Sequence, residues 1–250
     1  MSGHSKWANI KHKKAKSDSK KGKAFTKLVR EIMVAAKTGG PDISGNPRLR
    51  AAVDKAKAEN LPADNIERAI KKGAGGLQGV NYEEGMYEGY APGGVSVLAA
   101  FMTDNKNRTA SEVRHAFTKA GGSLASSGSV AYMFEKKGVF TFDMGSVVEE
   151  RLMEAALEAG AQDVIANSGD NLFEVYTDPH EFASVKSALD SSGLKYSSSS
   201  ISMIPKNTVK VGGKTAKQVL SLLDELEDLD DIQEVYANFD IPEDEMREMD

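Results

Sequence analysis

The residues with the clearest chemistry lie in a lysine-rich segment at the start of the chain. Residues 1–30 contain ten Lys or Arg side chains against one acid, Asp18, for a net charge of +9. Lys is a mobile point charge that suits phosphate groups and is poor at bidentate recognition of bases, so this composition favours contact with a nucleic-acid backbone over sequence reading. A charge run is also typical of a solvated surface, but solubility alone does not require this density with almost no counter-charge.

Aromatic and imidazole side chains lie within the same segment. Trp7 could stack on an exposed base, or it could anchor the segment to the helical domain that follows. His4 and His12 could join phosphate contacts, whereas two His side chains without Cys or nearby carboxylates are poor metal ligands. We therefore predict phosphate binding here and no metal site.

A second candidate contact is the polar loop at residues 104–109, DNKNRT. Asn105, Asn107 and Arg108 precede a predicted helix, whose free N–H groups and dipole favour an anion. The alternative is a capped turn with solvated side chains. The predicted nucleic-acid-binding residues are, together, Lys6, Trp7, Lys11, His12, Lys13, Lys14, Lys16, Lys20, Lys21, Lys23, Lys27, Arg30, Asn105, Asn107 and Arg108.

Patterns typical of catalysis are missing from the sequence. It contains no P-loop, no G-x-G-x-x-G, no G-x-S-x-G and no H-E-x-x-H, and it has no Cys. The four His lie far apart, and His115 falls on the polar face of a predicted helix. We predict a protein that is not an enzyme and uses no cofactor.

The charge is distributed unevenly along the chain. The net charge of -5 is the sum of +11 over residues 1–76 and -16 over residues 77–250. Such asymmetry indicates a nucleic-acid partner for the basic part, and the acidic part should be repelled by the same polyanion. No apolar run approaches the roughly 18 residues of a membrane span, and no secretory signal is evident. We expect a soluble, cytoplasmic protein with no membrane partner.

Hydrophobic spacing beyond the basic arm predicts three short helices. Apolar residues recur at helical spacing over residues 25–36. Asn46 followed by Pro47 is typical of an N-cap and a first helical position, and a third helix is predicted to end at Gly73. Because each helix is apolar on one stripe only, the three must pack together. We predict a basic arm plus helical bundle over residues 1–79, closed by a Gly-rich linker.

Strand and helix patterns alternate in the remaining sequence. A hairpin is predicted over 86–101, then a helix opened by a capping box of Thr109 and Glu112, then a strand over 129–134. An amphipathic helix and a short strand over 214–236 cannot form a domain alone. The prediction is therefore a discontinuous α+β domain over residues 80–136 with 206–240. An acidic tail follows over residues 241–250.

A second α+β domain, over residues 137–205, is predicted as an insertion into the first. Its pattern is a strand, a helix capped by Ser146, a hairpin over 163–177, a helix starting at Asp178 and a strand over 200–204. The order βαββαβ is the ferredoxin-like pattern. The predicted fold class is α+β with three domains, namely an N-terminal three-helix domain and two α+β domains, one of them ferredoxin-like.

Long strings of this sequence resemble the YebC/PmpR family, from Gly3 to about Tyr236 and in the family's order. They include GHSKWANIKHKKAKSDSKKGKAFTKLVREI, NPRLRAAVDKAKAENLP, YEGYAPGG, DNKNRTASEVRHAFTKAGGSLASSGSVAYMFEKKG and SMIPKNTV. The resemblance implies three domains and a cytoplasmic DNA-binding transcriptional regulator. Some members are described instead as ribosome-associated translation factors that assist synthesis of proline-rich stretches, and one mitochondrial relative as a translational activator. For this chain the resemblance implies that nucleic acid is contacted by Lys6, Lys11, Lys13, Lys14, Lys23, Lys27, Asn105, Asn107 and Arg108.

Two hypotheses of function result. In the first, the basic domain binds duplex DNA to regulate transcription, while the acidic domains mediate protein contacts or a homodimer. In the second, the Lys-rich arm binds ribosomal RNA and the protein acts on the ribosome. No predicted helix carries an evident set of Arg, Asn and Gln at recognition positions, which favours RNA. The usual description of the family favours DNA. We therefore predict regulation of gene expression by nucleic-acid binding, with transcription as the first hypothesis and translation as the alternative.

Overall fold

Helices and antiparallel sheets make up the computed structural model, which describes residues 18–75, 81–169, 171–242 and 245. The elements in chain order are α1 (Asp18–Gly39), α2 (Pro47–Ala58), α3 (Ala63–Ala74), β1 (Glu83–Ala91), β2 (Val95–Thr103), α4 (Lys106–Lys119), β3 (Ser123–Ala125), β4 (Phe134–Asp143), α5 (Glu149–Glu158), β5 (Asp163–Asn167), β6 (Leu172–Thr177), α6 (Phe182–Ser191), β7 (Ser198–Pro205), β8 (Val209–Lys210), α7 (Gly213–Asp228), β9 (Ile232–Ala237) and β10 (Phe239–Asp240). The predicted α+β fold class is confirmed.

The first three helices share one apolar core. Ile32 of α1 and Leu49 and Ala56 of α2 are fully buried in it. The predicted start of α2 is confirmed, because the side chain of Asn46 accepts a hydrogen bond from the Leu49 N–H at 3.0 Å and Pro47 is the first helical residue. Helix α1 begins earlier than the apolar spacing indicates, within the basic segment.

The prediction that the third helix ends at Gly73 is wrong. Gly73 is buried inside α3, where an added Cβ would collide with the carbonyl oxygen of Met33 and lie 3.0 Å from the Cβ of Ala36. The glycine therefore permits α1 and α3 to approach closely, which is a packing role and not a terminating one. The sequence shows the glycine but not the helix that lies against it.

A four-stranded antiparallel sheet follows, in the order β3-β1-β2-β9. Strand β9 pairs with β2 although about 130 residues separate them, with Val97 opposite Ala237 and Leu98 opposite Tyr236. Helices α4 and α7 cover one face, where Phe117 and Leu223 are fully buried. The return of the chain to this sheet supports a discontinuous domain, whose boundaries as an independently folding unit stay a prediction.

The strand predicted over residues 129–134 is wrong. A 3₁₀ turn occupies Ala131–Met133, and β3 is the strand that pairs with β1. Glu88 is the reason, because its buried carboxylate accepts hydrogen bonds from the N–H groups of Gly128, Val130 and Ala131. Burial alone would raise the pKa of Glu88, but these donors outweigh it and lower the pKa. Backbone donors bound to a carboxylate cannot join a ladder.

The inserted unit has the strand order β5-β6-β4-β7, entirely antiparallel. Numbered within its βαββαβ pattern this order is 2-3-1-4, and the predicted ferredoxin-like topology is confirmed. Helices α5 and α6 pack on the face that carries Phe140, Phe142 and Val175. Two predicted starts are wrong: α5 begins at Glu149 without a Ser146 cap, and α6 begins at Phe182.

We expect Gly73→Ala to destabilise the helical core by about 1–3 kcal/mol, because the new methyl group must force α1 and α3 apart. Gly22→Ala is the matched control. Gly22 is helical with open space around its Cα, so that change should be neutral or stabilise by up to about 1 kcal/mol. Chemical denaturation, followed by the helical signal in circular dichroism, measures the free energy of unfolding of both variants. Equal midpoints for the two would contradict the packing role of Gly73.

Candidate nucleic-acid interface and its protein contacts

The predicted binding residues fall into three groups in the structure. The largest group lies outside the described residues and comprises Lys6, Trp7, Lys11, His12, Lys13, Lys14 and Lys16. Lys20 and Lys21 lie on α1, and their side chains are likewise outside what the structure describes. The third group has described contacts and comprises Lys23, Lys27, Arg30, Asn105, Asn107 and Arg108.

Three basic residues of α1 contact the C-terminal end of α7 and the turn that follows it. Lys23, Lys27 and Arg30 are spaced by four and three positions, so they share one helix face. The Lys23 ammonium donates to the Asp228 carbonyl at 3.0 Å and lies 3.6 Å from the Asp228 carboxylate. The Lys27 ammonium donates to the Glu227 carbonyl. The last carbonyls of a helix lack intrahelical partners and carry its negative dipole end, so two cations are well placed there.

Arg30 makes the most extensive of these contacts. Its Nη1 atom donates to the Asp231 carboxylate at 2.8 Å, the Asp230 carbonyl at 2.9 Å and the Met102 carbonyl at 3.0 Å. The guanidinium lies 5.6 Å from the centre of the Tyr82 ring, and its side chain is only 14% exposed. Arg30 therefore joins the helical bundle to β2 and to the turn between α7 and β9.

The polar loop at 104–109 meets the same carboxylate from the other side. Arg108 donates to Asp231 Oδ2 at 2.6 Å and to Asp104 at 2.8 Å. The predicted capping box is wrong, because Asn105 caps α4 by accepting from the Arg108 N–H at 3.1 Å, while Thr109 is buried inside the helix. The Thr109 hydroxyl donates to Asp231 at 2.7 Å. Asn107 is exposed.

Asp231 is thus the centre of a cluster with Arg30, Thr103, Arg108 and Thr109, called here the Asp231 cluster. Its side chain is 4% exposed, and Thr103 adds a hydroxyl donor at 2.9 Å. Burial alone would raise the pKa of Asp231, but the hydrogen bonds from Arg108, Thr109 and Thr103 and the charge of Arg30 outweigh it and lower the pKa. The carboxylate is buried, charged and fully partnered.

Further ion pairs fix the helical bundle to the first sheet. Lys55 of α2 lies 2.6 Å from Glu234 of β9. Arg48, also of α2, lies 2.7 Å from Glu31 and 3.0 Å from Glu84 of β1. These side chains are partly exposed, so each pair contributes modestly. Together with the Asp231 cluster, they hold the bundle in one orientation.

The geometry separates the basic residues by role. Arg30 and Arg108 neutralise a buried carboxylate, and Lys23 and Lys27 bind the end of α7. The sequence gives no local signal for this, because Asp231 lies 201 positions after Arg30. Sequence reasoning therefore missed Asp231 as the residue that organises the loop at 104–109 and the basic face of α1.

Two further features of the described residues bear on other functions. In that part of the chain, no group of three or more His, Cys, Asp or Glu side chains is placed to hold a metal ion. Of the helices that the structure describes, none is both long enough and apolar enough to cross a membrane.

Comparison with known proteins assigns both parts of the chain. Residues 5–76 match the TACO1/YebC protein N-terminal domain, and residues 82–239 match the TACO1/YebC second and third domain. The chain belongs to the TACO1/YebC family. This family membership confirms the resemblance seen in the sequence, which covers the same span.

Several TACO1/YebC relatives are similar over their whole length. A protein of Trichlorobacter lovleyi named "Probable transcriptional regulatory protein" is 58% identical, with 100% of both chains covered. A protein of Geobacter sulfurreducens that carries the same description is 57% identical, also with 100% of both chains covered. The crystal structure of a conserved hypothetical protein from Aquifex aeolicus has a TM-score of 0.83 and 52% identity, covering 93% of this chain and 96% of that one.

We expect Asp231→Asn to destabilise the protein by about 3 kcal/mol, because the change removes the counter-charge of two arginines at a buried site. Asp230→Asn is the matched control, since it removes the same charge from an exposed neighbour. Thermal unfolding at neutral pH compares the two. Equal melting temperatures would contradict the central position of the Asp231 carboxylate.

The same carboxylate should give stability a defined pH dependence. Because folding lowers the pKa of Asp231, its stabilisation is complete above about pH 4 and is lost as the pH falls through the folded pKa. The free energy of unfolding should therefore decrease more steeply with falling pH below about 4 in the unsubstituted protein than in Asp231→Asn. Parallel curves for the two proteins over that range would exclude this contribution.

Proposed function

We propose that this protein regulates gene expression by binding nucleic acid through its Lys-rich N-terminal region, as a DNA-binding regulator of transcription. The observation that carries the proposal is the +9 charge of residues 1–30, combined with the partners of its last three basic residues. Lys23, Lys27 and Arg30 bind the acidic end of α7 and Asp231. We therefore propose the lysines that precede them as the phosphate ligands. The names of the relatives support a regulatory role.

The acidic part of the chain supports one orientation on a polyanion. Residues 218–250 hold 13 acids and one base, and within this stretch the C-terminal end of α7 lies against α1. A nucleic acid would be repelled from that side and drawn to the arm. Asn107, which is exposed at the start of α4, is proposed as a subsidiary contact, while Arg108 is occupied by Asp104 and Asp231.

A second candidate function is a ribosome-associated translation factor that binds ribosomal RNA and assists synthesis of proline-rich stretches. One observation favours it. The described basic residues of α1 and α2 turn largely toward protein, as Arg30, Arg48 and Lys55 do. A helix that reads duplex DNA needs Arg, Asn or Gln free to reach base edges. A lysine-rich segment needs only accessible phosphates, which a folded RNA surface also provides.

We expect removal of residues 1–17 to abolish most of the salt-sensitive binding. That segment contains five Lys, so its loss should reduce the log–log salt slope on duplex DNA by about 4 to 5. Fluorescence anisotropy at several salt concentrations measures the slope. Lys23→Gln is the control, because Lys23 already binds Asp228, and its slope should match that of the unsubstituted protein. An unchanged slope after truncation would refute the location of the site.

Sedimentation decides between the two candidate functions. A transcriptional regulator should remain in the soluble fraction of a lysate at moderate salt and bind particular promoter duplexes far more tightly than random DNA. A translation factor should co-migrate with ribosomes and be released at high salt. Co-migration without selective duplex binding would replace the first candidate by the second.

A further inference from the structure

A cleft of about 500 Å³ lies at one end of the ferredoxin-like sheet, where all four strands contribute to its lining, beside the loop that leads from β7 to β8. We propose that it binds one nucleotide of a single-stranded nucleic acid, which rests on the proposed function that this chain binds nucleic acid. The lining that matters here comprises Lys137, Asp163, Ile165, Tyr176, Lys206 and Asn207. Its volume is in the range of small-ligand sites, about 300 to 1,000 Å³.

The loop at 206–208 is held at both ends by backbone hydrogen bonds. The Lys206 N–H donates to the Met133 carbonyl at 2.9 Å, and the Val209 N–H donates to the Asn238 carbonyl at 2.7 Å. Lys206, Asn207 and Thr208 are all exposed on this loop. Polar side chains on a fixed backbone lose less conformational entropy on binding than those on a mobile one.

Strand β4 supplies a second cation, above an aromatic ring of β6. The Lys137 ammonium lies 5.8 Å from the centre of the Tyr176 ring and 3.6 Å from the Glu135 carboxylate. Its side chain is partly exposed, so it can reach an anion in the cleft. Lys137 and Lys206 are contributed by different parts of the chain and both line the cleft, so it offers two cations to a phosphate group.

Apolar side chains complete the cleft and argue against a bare phosphate as the ligand. Ile165 is 44% exposed, and Ile204 and Pro205 flank the lysine-bearing loop. A planar base would cover these groups, and the exposed Asp163 carboxylate could accept a hydrogen bond from a base amino group. A ligand with a flat ring, amino donors and a phosphate satisfies all of these features, and that ligand is a nucleotide.

The position of the cleft on the fold supports the same ligand. In RNA-recognition motifs, a four-stranded sheet binds single-stranded bases on its open face through residues of two strands. Here Lys137 and Tyr176 lie on β4 and β6, the two central strands, on the face opposite α5 and α6. Single-stranded segments can place an unpaired base in such a cleft, whereas a duplex keeps its bases stacked inside.

Tyr132 extends the surface next to the loop. It is 63% exposed and immediately precedes Met133, whose carbonyl anchors Lys206. An exposed ring beside a basic loop can stack on a neighbouring base without regard to its identity. We include Tyr132 in the proposed site as a stacking residue.

Binding of a labelled oligonucleotide of about 12 residues, as RNA, as single-stranded DNA and as duplex DNA, tests the proposal in the full-length protein. Lys206→Glu should weaken binding of the single strands about fivefold and reduce the salt slope by about 1. Tyr132→Ala should weaken single-strand binding similarly. Tyr132→Phe keeps the aromatic ring, so it should bind single strands as the unsubstituted protein does. Lys217→Glu, the same charge change at an exposed position of α7, should leave binding within about twofold of the unsubstituted protein. Tighter RNA than DNA binding would assign contact to the 2′-hydroxyl.

Photo-crosslinking with 4-thiouridine locates the contact directly. Crosslinks to the peptides that hold Tyr132 and Lys206, lost on competition with unlabelled RNA, are the expected result. If the protein binds RNA but the crosslinks lie elsewhere and Lys206→Glu behaves like Lys217→Glu, the cleft proposal is overturned and the proposed function stands. If no oligonucleotide binds at all, both fail.

Discussion

The buried carboxylate of Asp231 is the constraint on which the arrangement of this molecule depends. It accepts hydrogen bonds from Arg30 of the helical bundle and from Arg108 and Thr109 of α4, so three separate stretches of chain meet at one charge. A buried carboxylate is costly unless it is paired and hydrogen-bonded on all sides. Its position between α7 and β9 therefore orients the bundle against the sheet.

The same interaction divides the basic residues of the N-terminal region into two sets. Lys23, Lys27 and Arg30 bind the end of α7 and the turn after it, where free carbonyls and acidic side chains are concentrated. The lysines before them are the proposed phosphate ligands. An acidic helix end thus holds one part of a basic segment while repelling the polyanion that the other part attracts.

Local patterns in the sequence predicted most of the fold. The Asn46 and Pro47 start of α2, the hairpin of β1 and β2, and the ferredoxin-like order all follow from cap residues and from periods of 3.6 and 2. The errors arise where a distant residue intervenes. Glu88 binds the N–H groups of a segment that otherwise has strand composition. Gly73 is required by the close approach of α1 and does not end its own helix. Thr109 donates a hydrogen bond to Asp231 and does not cap α4.

The candidate site was less predictable than the fold for the same reason. Charge density singles out the N-terminal segment, but it cannot separate a lysine bound to protein from one available to phosphate. Arg30 and Arg108 carry the same charge as their neighbours, and only the folded chain brings Asp231 to them. The cleft at Lys137 and Lys206 has no sequence signal, because its walls come from positions about 70 residues apart.

Hydrogen–deuterium exchange, with and without bound nucleic acid, tests the division of the basic residues most directly. If Lys23, Lys27 and Arg30 remain on protein while the preceding lysines bind phosphates, binding should slow exchange within residues 1–17. Exchange should stay unchanged from the end of α7 to the start of β9. Faster exchange around Asp231 on binding, without protection of residues 1–17, would show that the nucleic acid takes these cations from the protein and would contradict the account.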